Sequence, residues 1–184
     1  LLDHCPDLIL NVTNAGQLKR NLLLTLEVRE FGQPMILDLN LMDEAAQQGQ
    51  HFDPVALSQA LGCPVVTTNA RTRRGLAQLQ AQLQAHQPLA PLKLTYPPQV
   101  EQALQQATQA LTNDYNVPAP LARWLSLQYM NQNQVVRRAA AFRNLQPLLE
   151  QRATYDAQHF EEQIFNTRLA FIEKILARGQ QAPA

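Results

Sequence analysis

Two short polar segments, Asn40-Leu41-Met42-Asp43 and Thr68-Asn69-Ala70-Arg71, could together read a nucleotide base. A carboxylate at Asp43 can accept two hydrogen bonds, from the ring N–H and the exocyclic amine of guanine. Adenine offers neither donor in that arrangement and would leave a desolvated carboxylate unpaired, at a cost of about 1–3 kcal/mol. Asn40 can offer its amide to the base and to neighbouring loops. A backbone N–H near Ala70 can donate to the guanine carbonyl, which asks for a small residue and an open loop, with Arg71 following. An isolated NxxD also arises as a turn or helix cap, because Asn and Asp favour both. The strand before it and a matching loop after the next strand set the base-reading alternative level with the cap, and the residues by themselves leave both open.

The elements that must position these residues follow from hydrophobic patterning. Residues 8–12, 35–40 and 64–68 are short apolar runs with turn residues at their ends, as buried parallel strands are. Gln17–Glu30 carries Leu18, Leu22 and Leu26 on one helical face and is stopped by Gly32 and Pro34. Asp53-Pro54 announces a second helix, which carries Val55, Leu57 and Leu61 and ends at Gly62. A third follows Gly75, with Leu76, Leu79 and Leu83 at helical spacing. The order β-α-β-α-β-α predicts a parallel sheet with right-handed crossovers. Ligands of such sheets bind beyond the carboxyl ends of the strands, where both polar segments fall. Asp38 is unusual within an apolar run; it is expected to be a solvated strand residue, or else to have a partner, since a buried lone carboxylate is costly.

Beyond His86 the pattern changes. Four prolines in 86–98 mark a linker, and all that follows is helical. Val100, Leu104, Ala107 and Leu111 form one stripe, and Leu121, Trp124, Leu125 and Tyr129 another. A third helix is expected within 134–151, and a fourth from about Tyr155 to Arg178 with Phe165, Leu169, Ile172 and Leu176 on its buried face. The predicted organisation is a sheet domain over 1–88, a linker over 89–98 and a helical bundle over 99–184.

Composition excludes several classes of function. Lysine plus arginine equals aspartate plus glutamate at 15 each, so no global field favours nucleic acid or an anionic membrane. The clusters Arg71, Arg73, Arg74 and Arg137, Arg138 read as solvated faces. Cys5 and Cys63 form no CxxC pair and suit a reducing compartment. His4, His51, His86 and His159 are scattered without metal-ligand spacing, so neither a metal site nor a catalytic constellation is expected. No apolar run approaches the ~18 residues of a membrane span, and no signal peptide is visible. The chain opens on Leu1, which is expected of a fragment or processed form.

The chain resembles the bacterial ferrous iron transport protein B family (FeoB) over nearly its whole length. Asp7–Asn14 and Leu18–Leu26 look like a strand and helix of that family's G domain, and Leu39–Asp43 like its guanine motif. Leu61–Val66 leads into a segment similar to its last base-contacting loop. Val117–Leu127 and Asn166–Ile172 are similar to its helical domain. The resemblance implies an α/β fold, a partial P-loop-GTPase-type parallel sheet with flanking helices, followed by an all-α helical module. It implies guanine contacts from Asn40, Leu41, Met42, Asp43, Asn69, Ala70 and Arg71, with GTP or GDP as cofactor. The family's GxxxxGK[ST] loop, switch segment and DxPG motif do not occur here. Mg2+ is therefore expected only in the full-length G domain, and this chain is expected to be inactive in GTP hydrolysis by itself. Implied partners are the guanine nucleotide, the remainder of the G domain and a membrane domain at the cytoplasmic face of the bacterial inner membrane; nucleic acid is not among them. Self-association through an exposed sheet edge is a further expectation. Two departures stand out: Leu41 where related GTPases usually carry lysine, and Asn69 where serine or threonine is common. Two alternatives remain: a non-enzymatic interaction module presenting a face near Trp124 or Arg137-Arg138 on an α/β scaffold, and an RNA-binding GTPase of the ribosome-assembly kind, which the charge balance disfavours.

Overall fold

A computed structural model describes residues 6–85, 87–142 and 157–179. The chain divides into two compact units, residues 1–92 with 169–184, and residues 93–168.

In the first unit, strands β1 (Ile9–Asn14), β2 (Met35–Asn40) and β3 (Val65–Thr68) form a parallel sheet in the order β1-β2-β3. The register sets Asn14 beside Asn40 and Asn40 beside Thr68, so the three strands end in line. Helices α1 (Leu18–Phe31), α2 (Met42–Gln47), α3 (Pro54–Leu61) and α4 (Leu76–Gln84) connect and flank the strands. Each stop or start has a local cause. Gly32 closes α1 in the left-handed conformation at φ 85°, and Asp53 caps α3 by accepting the Val55 N–H at 2.8 Å. The expected boundaries of these elements shift by no more than two residues, whereas α2 is unforeseen.

Side chains alternate across the sheet. One face carries Ile36 and Val66, covered by Leu79 of α4 with Leu8 and Leu83 at the margin. Leu10 and Val12 of β1, of the same parity, remain 39% and 55% exposed. On the opposite face Asn11 donates to Thr25 of α1 at 2.9 Å, and Leu18, Leu22, Leu26, Leu37 and Leu39 are buried. Among the described residues β1 has no strand on its outer edge.

Asp38 corrects the expectation of a solvated strand residue. It lies on the central strand at 3% exposure and accepts a 2.8 Å hydrogen bond from the Thr68 hydroxyl. Burial raises its pKa, and the Thr68 hydrogen bond opposes the shift. Its Oδ1 is buried without a partner.

The second unit holds α5 (Pro98–Tyr115), α6 (Ala119–Met130), α7 (Gln134–Phe142) and part of α8 (Ala157–Gly179). Val100, Leu104, Ala107 and Leu111 of α5 are buried as the spacing predicts. Prolines occupy the first turns of α5 and α6, where a missing N–H costs nothing. The stripe expected on α8 holds in part. Ile172 and Leu176 are buried as the spacing predicts, but Phe165 is 47% exposed, and Phe160, Ile164, Arg168 and Ile175 complete the buried face. The predicted helix within 134–151 is seen to Phe142, and its remainder lies outside the described residues. So do the expected Tyr155 start of the last helix, His4, Cys5, His86 and the 180–184 tail.

Candidate nucleotide-base site

The two polar segments meet at the carboxyl end of the sheet. β2 delivers Asn40, and Leu41 then turns the chain in the left-handed region at φ 61°, ψ 36°. The Asn40 Oδ1 accepts the Leu41 N–H at 2.8 Å, which stabilises that turn. Met42 opens α2, so Asp43 and Glu44 occupy its first turn, where the helix dipole favours negative charge. Asp43 is exposed, and Leu41 and Met42 are half-buried.

β3 delivers the second segment. Asn69 donates from Nδ2 to Oδ2 of Asp43 at 3.0 Å, across 26 residues of sequence. Its own Oδ1 accepts the Thr72 N–H at 3.0 Å, and its backbone N–H donates to the Arg74 carbonyl at 3.0 Å. Ala70 and Arg71 stand exposed in the resulting loop. Gly75 ends it at φ 82°, and a Cβ there would lie 2.0 Å from the Thr67 carbonyl oxygen. Only glycine permits so close an approach of loop and strand.

Of the seven residues singled out from sequence, the structure joins Asp43 to Asn69 by one hydrogen bond and Asn40 to Leu41 by another, at the same end of the sheet, with Met42, Ala70 and Arg71 adjacent in chain. Sequence reasoning missed Asn14, whose side chain caps the turn after β1 by accepting the Gly16 N–H at 2.8 Å. Its signal was available, since an Asn ends both β1 and β2. It also missed α2, whose acidic first turn is a helix-start signal.

Elsewhere, the structure removes one feature of the interaction-module alternative. Trp124 is only 8% exposed and belongs to the core of the second unit, and Arg137 stacks over Tyr129 at 5.2 Å. Cys63 is buried, and burial pushes its thiol up to about 11 against the pull of the Arg29 charge; it is an inert core thiol at neutral pH. No helix among the described residues is long and apolar enough to cross a membrane.

A parallel α/β sheet with polar loops at its carboxyl ends, followed by a separate helical unit, defines the class: the later part of a G domain joined to a helical domain. Family models fix it further. The model for ferrous iron transport protein B matches residues 1–83, and the model for the FeoB cytosolic helical domain matches residues 96–180. The chain belongs to the ferrous iron transport protein B family.

Relatives agree with that placement. The chain is 34% identical over 139 residues to the Fe(2+) transport protein A/Fe(2+) transporter FeoB fusion protein of Porphyromonas gingivalis, covering 72% of the chain and 16% of that protein. It is 36% identical over 132 residues to the Fe(2+) transporter FeoB of Salmonella typhimurium, covering 71% and 17%. The chain thus spans about a sixth of the length of these curated relatives. Among solved structures, the cytosolic domain of L. pneumophila FeoB superposes with a TM-score of 0.87 at 27% identity, covering 98% of this chain and 70% of that one. The mGMPPNP-bound NFeoB from S. thermophilus gives 0.73 at 29%, covering 100% and 71%.

Proposed function

We propose that this chain is the guanine-reading and helical part of the cytosolic region of a GTP-binding ferrous iron transporter. One observation carries the proposal: Asn69, just after β3, donates to Asp43, just after β2, across the ligand-binding end of a parallel sheet whose middle strand ends at Asn40. The uncommitted oxygen of Asp43 and the outer lone pair of Oδ2 are side-by-side acceptors suited to the two donors of guanine. Asn40 supplies an outward amide donor, the Ala70 N–H a donor for the base carbonyl, and Leu41 and Met42 apolar cover. Arg71 flanks the opening.

The chemistry of hydrolysis belongs to residues outside these segments. The phosphate-binding loop and the Mg2+ it holds lie with the remainder of the G domain. Its docking place is the open edge of β1 and the exposed side chains of Leu10 and Val12; without it, that edge is where self-association would occur. The domain organisation we propose is the G-domain part over 1–88, the linker over 89–98 and the helical domain over 99–184. The helical domain couples nucleotide state to a membrane domain, which places the protein at the cytoplasmic face of the inner membrane.

The test is calorimetric comparison of GDP with ADP on the full-length gene product. GDP is expected to bind preferentially, and Asp43→Asn to reduce that preference by tenfold or more, roughly the value of a charge-assisted hydrogen bond. An unchanged preference in Asp43→Asn would sink the reading.

A further inference from the structure

We infer that the buried Asp38 is a positioning residue for base recognition: through Thr68 it sets where β3 ends and the base loop begins, without touching the base. The inference rests on the guanine-reading function proposed above. Asp38 lies two residues before Asn40 on the central strand, and its Oδ2 accepts the Thr68 hydroxyl at 2.8 Å, with both side chains buried. Backbone pairing sets Asp38 beside Val66 and Asn40 beside Thr68, so this bond runs diagonally across the end of the β2–β3 ladder. Asp38 is also held from β1, where the Thr13 hydroxyl donates to its carbonyl at 3.1 Å. A single residue just upstream of the guanine segment thus ties all three strands together.

The bond falls where the ladder gives least support. β3 is four residues long and, among the described residues, pairs only with β2. Thr68 is its last residue, and Asn69 and Ala70 follow directly. A shift of Thr68 therefore moves Ala70 relative to Asn40 and Asp43, and hydrogen-bond recognition tolerates well under about 1 Å of such displacement. Stability does not account for a carboxylate at this position. In register Asp38 lies between Val12 and Val66, its Oδ1 is buried without a partner, and burial disfavours its charge. A valine would complete the row and bury no charge. A residue that costs stability on the central strand, and whose side-chain hydrogen bond goes to the strand end carrying the loop, is placed for the site.

The test is a cycle of Asp38→Val, Thr68→Val and the double variant in the full-length gene product, with Asp38→Asn as the conservative variant. GDP and ADP dissociation constants and urea midpoints are measured for each at pH 8. Asp38→Val and Thr68→Val are each expected to weaken GDP about fivefold and to leave ADP within about twofold. The double variant is expected to lose no more than either single one, because both remove the same bond. Asp38→Asn, whose amide oxygen still accepts the Thr68 hydroxyl, is expected to stay within about twofold of the parent. Asp38→Val should show its loss with a urea midpoint no lower than the parent's, which a merely structural role would not give. Parent-like GDP affinity in Asp38→Val would overturn the inference, as would an equal loss in Asp38→Asn or losses that add in the double variant. Should Thr68→Val fail to fold, Asp38→Val against Asp38→Asn decides alone. Failure of the underlying base reading looks different: Asp43→Asn would then leave the GDP-to-ADP ratio untouched.

Discussion

Arg29 and Arg123 each fix one end of the stretch between α4 and α5, Arg29 from within the first unit and Arg123 from within the second. Arg29 is buried at 2% exposure, and its Nε donates to Leu61 O at 2.9 Å while Nη2 donates to Gly62 O and Ala90 O at 3.1 and 2.9 Å. Its partners are neutral carbonyls, two of them at the C-terminal end of α3, where the helix dipole favours a cation. Leu92 returns a bond to Arg29 through its N–H. Arg123 is half-buried and forks onto both oxygens of Glu101 at 2.9 and 3.1 Å, with a longer contact to Leu94 O at 3.5 Å. Glu101 also accepts the Tyr96 N–H. The first anchor satisfies carbonyls with a desolvated charge, and burial lowers the Arg29 pKa as a result. The second cancels a charge with a charge. The difference teaches where each unit is vulnerable: the first to loss of hydrogen-bond donors, the second to loss of charge.

That contrast is broken most strongly by truncating each arginine. Arg29→Met would strand the buried Leu61 carbonyl and remove the donor to the part-buried Gly62 and Ala90 carbonyls, and we expect a loss of about 3 kcal/mol in urea unfolding. Arg29→Lys should recover little, since an ammonium cannot reproduce the fork that spans Leu61, Gly62 and Ala90. Arg123→Met should cost only about 1 kcal/mol, because its ion pair is partly solvated. Equal losses for the two would erase the distinction between the anchors.

The two units also carry carboxylates with opposite pH behaviour, and this sharpens the comparison at smaller effect. At Glu101 burial pushes the pKa up, but the Arg123 hydrogen bond, the Tyr96 N–H and the Arg123 charge together hold it below the usual value. A depressed folded pKa gives stability that is present above the unfolded carboxylate pKa and lost as pH falls through the folded one. At Asp38 burial raises the pKa, with Thr68 opposing. The protonated form is then favoured in the folded state, so its stability is full below the unfolded pKa and lost as pH rises through the raised one. Thermal melts across pH should show Glu101→Gln less stable than the parent at pH 7 and converging with it in acid. Asp38→Asn should be more stable than the parent at pH 8 and converge with it as pH falls. The same slope in both variants would refute the assignment.

Much of this was legible in the chain, and the gaps have physical reasons. The strands of the sheet and the stops at Gly32 and Gly62 follow from local chemistry, so sequence places them within two residues. Asp38 was misjudged because its burial depends on β2 lying between β1 and β3, which no window around residue 38 reveals. The buried face of α8 was read correctly at Ile172 and Leu176 but not at Phe165, because Arg168, a charged residue at 3% exposure, sits in its middle and conceals the continuation of the stripe to Ile164. At the base site the residue types were readable, but the Asn69–Asp43 bond joins positions 26 apart and belongs to tertiary structure.

Leu41 sets stability against recognition within the first unit alone, and the expected effect is the smallest. A leucine at φ 61° is strained, since only glycine and, less often, asparagine adopt this region readily. Leu41→Asn should therefore stabilise the fold by about 0.5–1 kcal/mol, read as a higher urea midpoint with unchanged slope. The same change removes apolar cover from the proposed base site, so GDP affinity in the full-length gene product should fall a few-fold while ADP binding stays as it was. Stability and affinity moving in opposite directions would identify Leu41 as a residue kept for its contact with the base at the expense of its own backbone. If both rise together, the leucine contributes no cover, and base recognition rests on Asn40, Asp43 and the loop at Ala70.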